Sequence, residues 1–506
     1  MKINNNTSNA DKPLYWGLVI LLIISPIPWG GNFVWVWSGM QIWVLGLSFT
    51  WLMLFAFHKV RLPPALITAR PVLLLFILWL GWILLQLIPW PYTWLHFILP
   101  KVASHSIEYN PQITSWQPST FAYIAVDRNG AFNFFLKSLH YILVFILLLL
   151  LVHTPNRVKI LLSMLVMGGV WQAFYGVWTT LPHGIHAVGS FINRNHYAGY
   201  LEMSIALGMG LLLSEPSQDW GQTWRKRIIA ISQLMLGKKI RIRVFLAVMV
   251  IGLVISHSRT GNAAFFISLI VSGILWTILT RKTRRSTLLL FASLLVIDLF
   301  IVGSWFGIDQ VLNRLQNTVD DLYHTLPKRD LDRVVIKSPN SIGNQLAKPT
   351  SMDINILSYE LREEVYADTW RLINDYPWTG TGAGSFYIAF NAYKQADIHL
   401  YYKHTHNDYL EITADLGIFG LILAGLIIIL SLSIAIMAQA KRRSRTMQGT
   451  GFAATMGIIS ILIHSLTDFN LQIPANAQLF SVLLALAWLA NAMPLLSTKT
   501  STSYKH

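Results

Sequence analysis

The chain contains no cysteine. Disulfides, thiolate nucleophiles and cysteine-ligated metals are thereby excluded. Charge is also scarce. Asp, Glu, Lys and Arg make up 12% of the 506 residues, where an ordinary soluble chain carries about 25%. Acidic residues are the rarer sign, 23 against 39 basic ones, a formal net charge of +16. Internal repeats and long low-complexity tracts are missing. So are the alternating segments of about ten residues that a membrane β-barrel requires.

What is abundant is hydrocarbon. Hydrophobic residues reach 54% and the mean hydropathy is +0.49. Apolar runs near twenty residues recur, the length that crosses about 30 Å of bilayer core. They predict about twelve spans, near 14–29, 33–57, 71–89, 137–153, 158–180, 197–214, 243–257, 261–280, 287–305, 409–439, 450–465 and 476–495. In lipid such spans must be helices, because no water is there to satisfy an open backbone. The expected fold class is therefore an all-α polytopic membrane protein. Many of the 20 Trp and 18 Tyr sit at the ends of the runs, as in IPWPYTWLHF (88–97), the position of interfacial anchors. The first run lacks a small-residue cleavage site after it and reads as a retained span, not a signal peptide.

The basic residues gather in HKVR (58–61), RKRIIAISQLMLGKKIRIR (225–243), RKTRR (281–285) and KRRSR (441–445). If the spans alternate, all four loops share one side with both termini, and that side is cytoplasmic. The positive charge thus marks orientation and not a nucleic-acid partner. Trp220 to Arg243, with seven basic residues among Trp, Ile and Leu, reads as an amphipathic segment on the cytoplasmic surface. Two long polar segments face outward, roughly 90–136 and 306–408. The second is too long for an idle connection. SYELREEVYADTWRLINDYPW (358–378) reads as a helix ending before Pro377, and TGTGAGSF (379–386) as tight turns. The expected organisation is N-terminal membrane helices over 1–185, a catalytic region over 186–495 and a cytoplasmic tail over 496–506.

Five polar stretches all fall at the external face under this topology: GSFINRNHYAGYLEM (189–203), SHSRTGN (256–262), LREEVYADTW (361–370), HTHNDYLE (404–411) and HSLTDFNLQIPANA (464–477). Their convergence suggests one site above the bundle, since ionisable groups near membrane depth face cavities or pathways. Arg259 reads either as a snorkelling arginine or as an anion ligand whose fork matches phosphate oxygens. Arg362, beside Glu363 and Glu364, reads as a surface ion pair or as a second such ligand. Arg194, with Asn193, Asn195 and His196, reads as a helix-capping loop or as a set that binds sugar or phosphate. His406 reads as a capping residue or as a general base. Asn407 and His464 complete the candidate substrate-binding set. The histidines 196, 404, 406 and 464 follow no zinc spacing and have no clear carboxylate partner, so no metal is expected. A transporter is the rival from another class. Its sites would lie near mid-membrane, where Asp298 is the main charge.

These residues resemble the O-antigen ligase-like superfamily, which includes O-antigen ligases, O-antigen polymerases and bacterial protein O-oligosaccharyltransferases. His406 followed by Gly417 matches a ligase spacing. Arg362 followed by Tyr366 matches a second one in part, with tyrosine at the position where the signature has leucine. Trp370, Pro377, Gly380, Gly382, Gly384, Phe386 and the Ser258-Arg259 pair extend the likeness. The resemblance implies a bacterial inner-membrane glycosyltransferase with a periplasmic catalytic cavity. Its donor would be a glycan on undecaprenyl diphosphate, and its acceptor lipid A-core, a glycan or a protein. It implies no nucleotide sugar, no cofactor and no metal; since the sequence offers no strong candidate for a covalent sugar intermediate, the transfer is expected to be a single, inverting displacement. Arg259 and Arg362 would hold the diphosphate with Arg194 in reserve, and His406 would be the base.

Overall fold

The computed structural model describes residues 10–108, 121–180, 186–215, 237–280, 351–395 and 402–493. The expected span at 287–305, Asp298, residues 306–350 and most of the amphipathic segment (220–236) lie outside them. The described residues are mostly helical, with almost no strand. The main helices are α1 (Lys12–Ile24), α2 (Val34–Ala56), α3 (Arg70–Leu87), α4 (Arg128–Leu151), α5 (Pro155–Thr180), α6 (Arg194–Ser214), α7 (Lys238–Ile255), α8 (Arg259–Leu279), α9 (Ser351–Asp375), α10 (Asp408–Lys441), α11 (Arg445–His464) and α12 (Pro474–Ala492). Nine of them are long and apolar enough to cross a membrane.

Eleven of the twelve expected spans coincide with these helices, with informative shifts at the ends. α1 stops at Ile24, not near 29. Pro26 and Pro28 cannot continue a helix, and the chain turns through Trp29–Gly31 with Gly30 and Gly31 at positive φ. At 13 residues α1 is about 20 Å long, short of the bilayer core. α4 begins at Arg128, nine residues before the expected start, under the side chain of Asp127, which accepts from the Asn129 N–H at 3.0 Å. α7 begins at Lys238, so the basic residues 238–243 form its first turns.

α6 is the central helix, nearly all of it buried, and α11 packs on it most extensively. The crossing is made by small residues. A Cβ on Gly210 would meet the Gly449 carbonyl at 2.3 Å, and the reverse contact is equally short. Close backbone approach of this kind is how helices associate where lipid removes the hydrophobic drive. By contrast Trp35, Ile42 and Phe49 on α2 and Ile77 on α3 are exposed, as a lipid-facing surface requires.

The described parts of the two long polar segments fold together as one cap. Trp90 and Pro91 pair antiparallel with Ala122 and Phe121. Leu95, Val102 and Ala122 share a small core with Val365, Leu372 and Tyr376 of α9 and its sequel, and with Phe386 and Phe390. Lys101 pairs with Asp375 at its edge.

The cap is anchored on a break in α10. Gly417 has φ 67°, and a Cβ there would lie 2.2 Å from the Trp378 carbonyl oxygen. The interrupted helix bonds are replaced from outside. The Leu416 carbonyl accepts from Trp82 Nε1 at 3.0 Å, and the Ile418 N–H donates to the Pro377 carbonyl at 2.8 Å. The turns at 379–386 use Gly380, Gly382 and Gly384, all at positive φ. The Asp415 carboxylate accepts from the Gly384 and Phe386 N–H groups at 2.9 and 2.8 Å. Beyond the break, residues 418–441 extend about 36 Å at 1.5 Å per residue, enough to cross.

Candidate active site

Three short connections bring the site together. Two enter helices in the same way. His257 and His406 each adopt positive φ, at 54° and 58°, one residue before an N-cap. Ser258 then caps α8 by accepting from the Gly261 N–H, and Asn407 caps α10 by accepting from the Tyr409 and Leu410 N–H groups. A left-handed conformation is costly for a residue with a side chain and tends to persist at functional positions. Here it is locked, because the Tyr366 hydroxyl donates to the His406 carbonyl at 2.8 Å. Tyr366, which stands where the family signature has leucine, thereby ties the cap helix α9 to the candidate base.

The third connection, 465–473 between α11 and α12, is welded to the start of α10. The Ser465 hydroxyl and the Leu471 N–H both donate to Asp408 Oδ2, at 2.7 and 3.2 Å, and Asn407 Nδ2 donates to the Leu466 carbonyl at 2.9 Å. The Arg362 guanidinium reaches the Thr467 carbonyl at 3.5 Å, and the Thr467 hydroxyl donates to Thr260 at 2.8 Å. Asn476 donates to the His196 carbonyl at 2.9 Å. All five polar stretches singled out in the sequence therefore meet at one end of the bundle.

At the centre is Phe469 with three imidazoles around it. His404 stacks on the ring at 4.3 Å between centroids, while His196 and His406 meet it edge-on at 4.6 and 4.8 Å. The histidines do have carboxylate partners, contrary to expectation. His404 Nδ1 lies 2.7 Å from Glu411 Oε1, and His464 Nδ1 lies 2.8 Å from Glu202 Oε1. His406 Nδ1 and His196 Nε2 face the same oxygen of Asp468, at 3.6 and 3.7 Å. Burial alone would raise the pKa of Asp468. The His196 and His406 imidazoles, together with the charge of His464, outweigh it and hold this carboxyl well below the usual range. Around it, His406 Nδ1, His464 Nε2, Asp408 Oδ1, Asp468 Oδ2 and Asn470 Nδ2 are buried without a protein hydrogen-bond partner.

The arginines form the second half of the site. Arg194 and Arg259 are the first residues of α6 and α8. Arg194 lies close enough to Arg259 and Arg362 to feel both like charges. Among the described residues none of the three has a carboxylate within ion-pair distance. Two helix N-termini add their partial positive charge to the cluster.

The other sequence candidates are placed as follows. Asn193 caps α6, its side chain accepting from the Asn195 N–H at 2.8 Å. Asn407 is occupied as a cap as described. Asn195 is half-buried beside Arg194. His464 is fully buried beneath the site with Glu202. Asp468, Phe469, Glu202 and Glu411 all fall inside the quoted motifs, but sequence reading did not single them out. No group of three or more His, Asp or Glu among the described residues is arranged to hold a metal ion.

Fold and site together define a polytopic membrane protein with a histidine–carboxylate and arginine centre at one end of its helices. The family model described as O-antigen ligase matches residues 244–425, from α7 into α10. The match supports membership of the O-antigen ligase-like superfamily, a group of glycosyltransferase-like membrane enzymes of polysaccharide biosynthesis. Arg259, Arg362 and His406 lie within the match; Arg194, His464 and Asp468 lie outside it. No curated protein matches the chain.

Proposed function

We propose that the protein transfers a glycan from undecaprenyl diphosphate to an acceptor hydroxyl at the periplasmic face of the bacterial inner membrane. The observation that carries this reading is the cluster of three guanidiniums, without carboxylate partners among the described residues, beside His406 and Asp468. An unneutralised cationic cluster at helix N-termini suits a diphosphate. In the reaction, the acceptor oxygen attacks the anomeric carbon as its proton passes to His406. The bond from that carbon to the diphosphate breaks, and Arg194, Arg259 and Arg362 stabilise the charge that develops on the leaving group. With His406 Nδ1 turned to Asp468, Nε2 is the nitrogen left for the acceptor proton. One displacement gives inversion.

The test is glycan transfer by purified protein in detergent from a lipid-linked donor. A transporter needs two compartments, whereas a transferase does not. Arg259→Ala and Arg362→Ala are expected to abolish transfer with little change in folded yield. Arg→Lys restores activity in part, since an ammonium lacks the planar fork. Near-normal transfer by Arg362→Ala would leave that residue only its tie to Thr467.

The orientation is supported by the far end of the bundle, which carries Lys239, Arg241, Arg243, Arg443 and Arg445 near the helix ends there. Because cysteine is absent, Glu363→Cys on the exposed face of α9 gives a single label site. An impermeant maleimide added to cells with a permeabilised outer membrane is expected to label it. Labelling only after the inner membrane is opened would reverse the topology.

A further inference from the structure

A cavity of about 180 Å³ lies between α3, α4, α10 and α12, and the proposed reaction makes no use of it. Its wall is mostly hydrocarbon, with Phe76, Ile142, Ile427, Phe480 and Leu484 among its residues. Into this wall α4 places one cation, Lys137, with its Nζ 5.2 Å from the centre of the Trp37 ring. No carboxylate among the described residues lies within ion-pair distance of that ammonium. The neighbouring charge it feels is another cation, the exposed Lys403. Lys137 in this apolar wall, with a second ammonium near enough to repel it and no carboxylate among the described residues to pair with it, is costly unless an anion completes it.

The groove is separate from the arginine cluster. The connection 465–473 runs between them, with Thr467 against Arg362 on one side and Leu471 and Gln472 in the cavity wall on the other. Asp468 and Phe469, facing His406, stand between the two.

We propose that this groove is a lipid site in its own right, holding an acidic phospholipid whose chain lies along α10 and α12 and whose phosphate is bound by Lys137 and Lys403. The charge fixes the class of headgroup and the apolar wall fixes the rest. A zwitterionic phospholipid would bring its own cation against two ammonium groups. The donor's isoprenoid diphosphate has its charge matched at the arginines.

The experiment is lipid retention by the full-length protein. Protein is reconstituted in nanodiscs of equimolar phosphatidylglycerol and phosphatidylcholine, exchanged into detergent, and the lipid that stays bound is quantified by native mass spectrometry. Phosphatidylglycerol is expected to be retained over phosphatidylcholine by roughly tenfold, equal to about 1.4 kcal/mol. Lys137→Met removes the preference, Lys137→Arg keeps it, and Lys403→Gln weakens it. The last variant lies on the surface and gives the answer even if Lys137→Met does not fold. Equal retention of the two lipids by the wild type, or full preference in both Lys137→Met and Lys403→Gln, overturns the proposal. So does loss of the preference in Arg259→Ala but not in Lys137→Met, which would put the acidic lipid on the arginines. Displacement of phosphatidylglycerol by an isoprenoid diphosphate would give the groove to the donor and likewise overturn it. None of these readouts depends on glycan transfer, so the proposed function stands or falls separately.

Discussion

Replacing His406 with alanine is expected to lower turnover by roughly 10²- to 10⁴-fold, the usual contribution of a positioned general base. Donor binding should survive, because the arginines hold the diphosphate independently of the imidazole. The expectation rests on geometry. His406 is fixed in a left-handed conformation by the Tyr366 hydroxyl, its ring is set against Phe469, and its Nδ1 faces Asp468. His404→Ala should be milder. Its Nδ1 is bonded to Glu411 and its ring is stacked on Phe469, so it shapes the site without pointing a free nitrogen at Asp468. EDTA should leave turnover unchanged. The measurement is turnover at saturating donor and acceptor for both variants, with and without chelator. An active His406→Ala enzyme, or inhibition by EDTA that a divalent metal reverses, would remove the base assignment.

Asp468 sets how this site meets acid. Its pKa is depressed in the folded chain, so it remains an anion beside His406 and His196 down to the bottom of the ordinary carboxylate range. The sign of the linkage follows. The stability that Asp468 contributes is complete above about pH 4, its unfolded range, and is lost only as pH falls through the depressed folded value. Acid inactivation that sets in above pH 4 must therefore come from another group.

The fold was open to sequence reading because the bilayer imposes a single length and a single secondary structure. Spans such as Arg128–Leu151 and Arg445–His464 need only a run of hydrocarbon to be found. The residues of the site were visible for the same reason: Arg259, Arg362 and His406 are conspicuous where nearly everything else is apolar. Their partnerships were not. His464 meets Glu202 across 262 positions of sequence, and Asp468 gathers His196 from α6 and His406 from the connection before α10. No local period or spacing records such a pair. The break at Gly417 was equally hidden, since a glycine in an apolar run reads as helix until the Trp378 carbonyl is found against it. Tyr366 was read as a departure from a motif, and its purpose became visible only when its hydroxyl was found on the His406 backbone.

The buried pair beneath the site should dominate stability as His406 dominates turnover. Glu202 and His464 are both fully buried within α6 and α11, joined at 2.8 Å, and the Ser460 hydroxyl donates to the second carboxylate oxygen at 2.6 Å. Whichever partner carries the proton, removing one leaves the other polar and unmatched in a medium that cannot solvate it. Breaking a buried pair in this way costs about 3–5 kcal/mol. Glu202→Ala is thus expected to lower the unfolding free energy in detergent by about that amount, with His464→Ala close behind. Glu202→Gln keeps a hydrogen-bond acceptor for Ser460 and should lose less. Replacing both residues with leucine removes the unmatched group along with its partner, so the double variant should recover much of what either alanine variant loses. A denaturation series on these four variants and on the double alanine variant, which closes the double-mutant cycle with the two single alanine variants, decides the matter. Additive losses in the double alanine variant, or a Glu202→Ala protein as stable as the wild type, would mean that the pair does not hold α6 to α11.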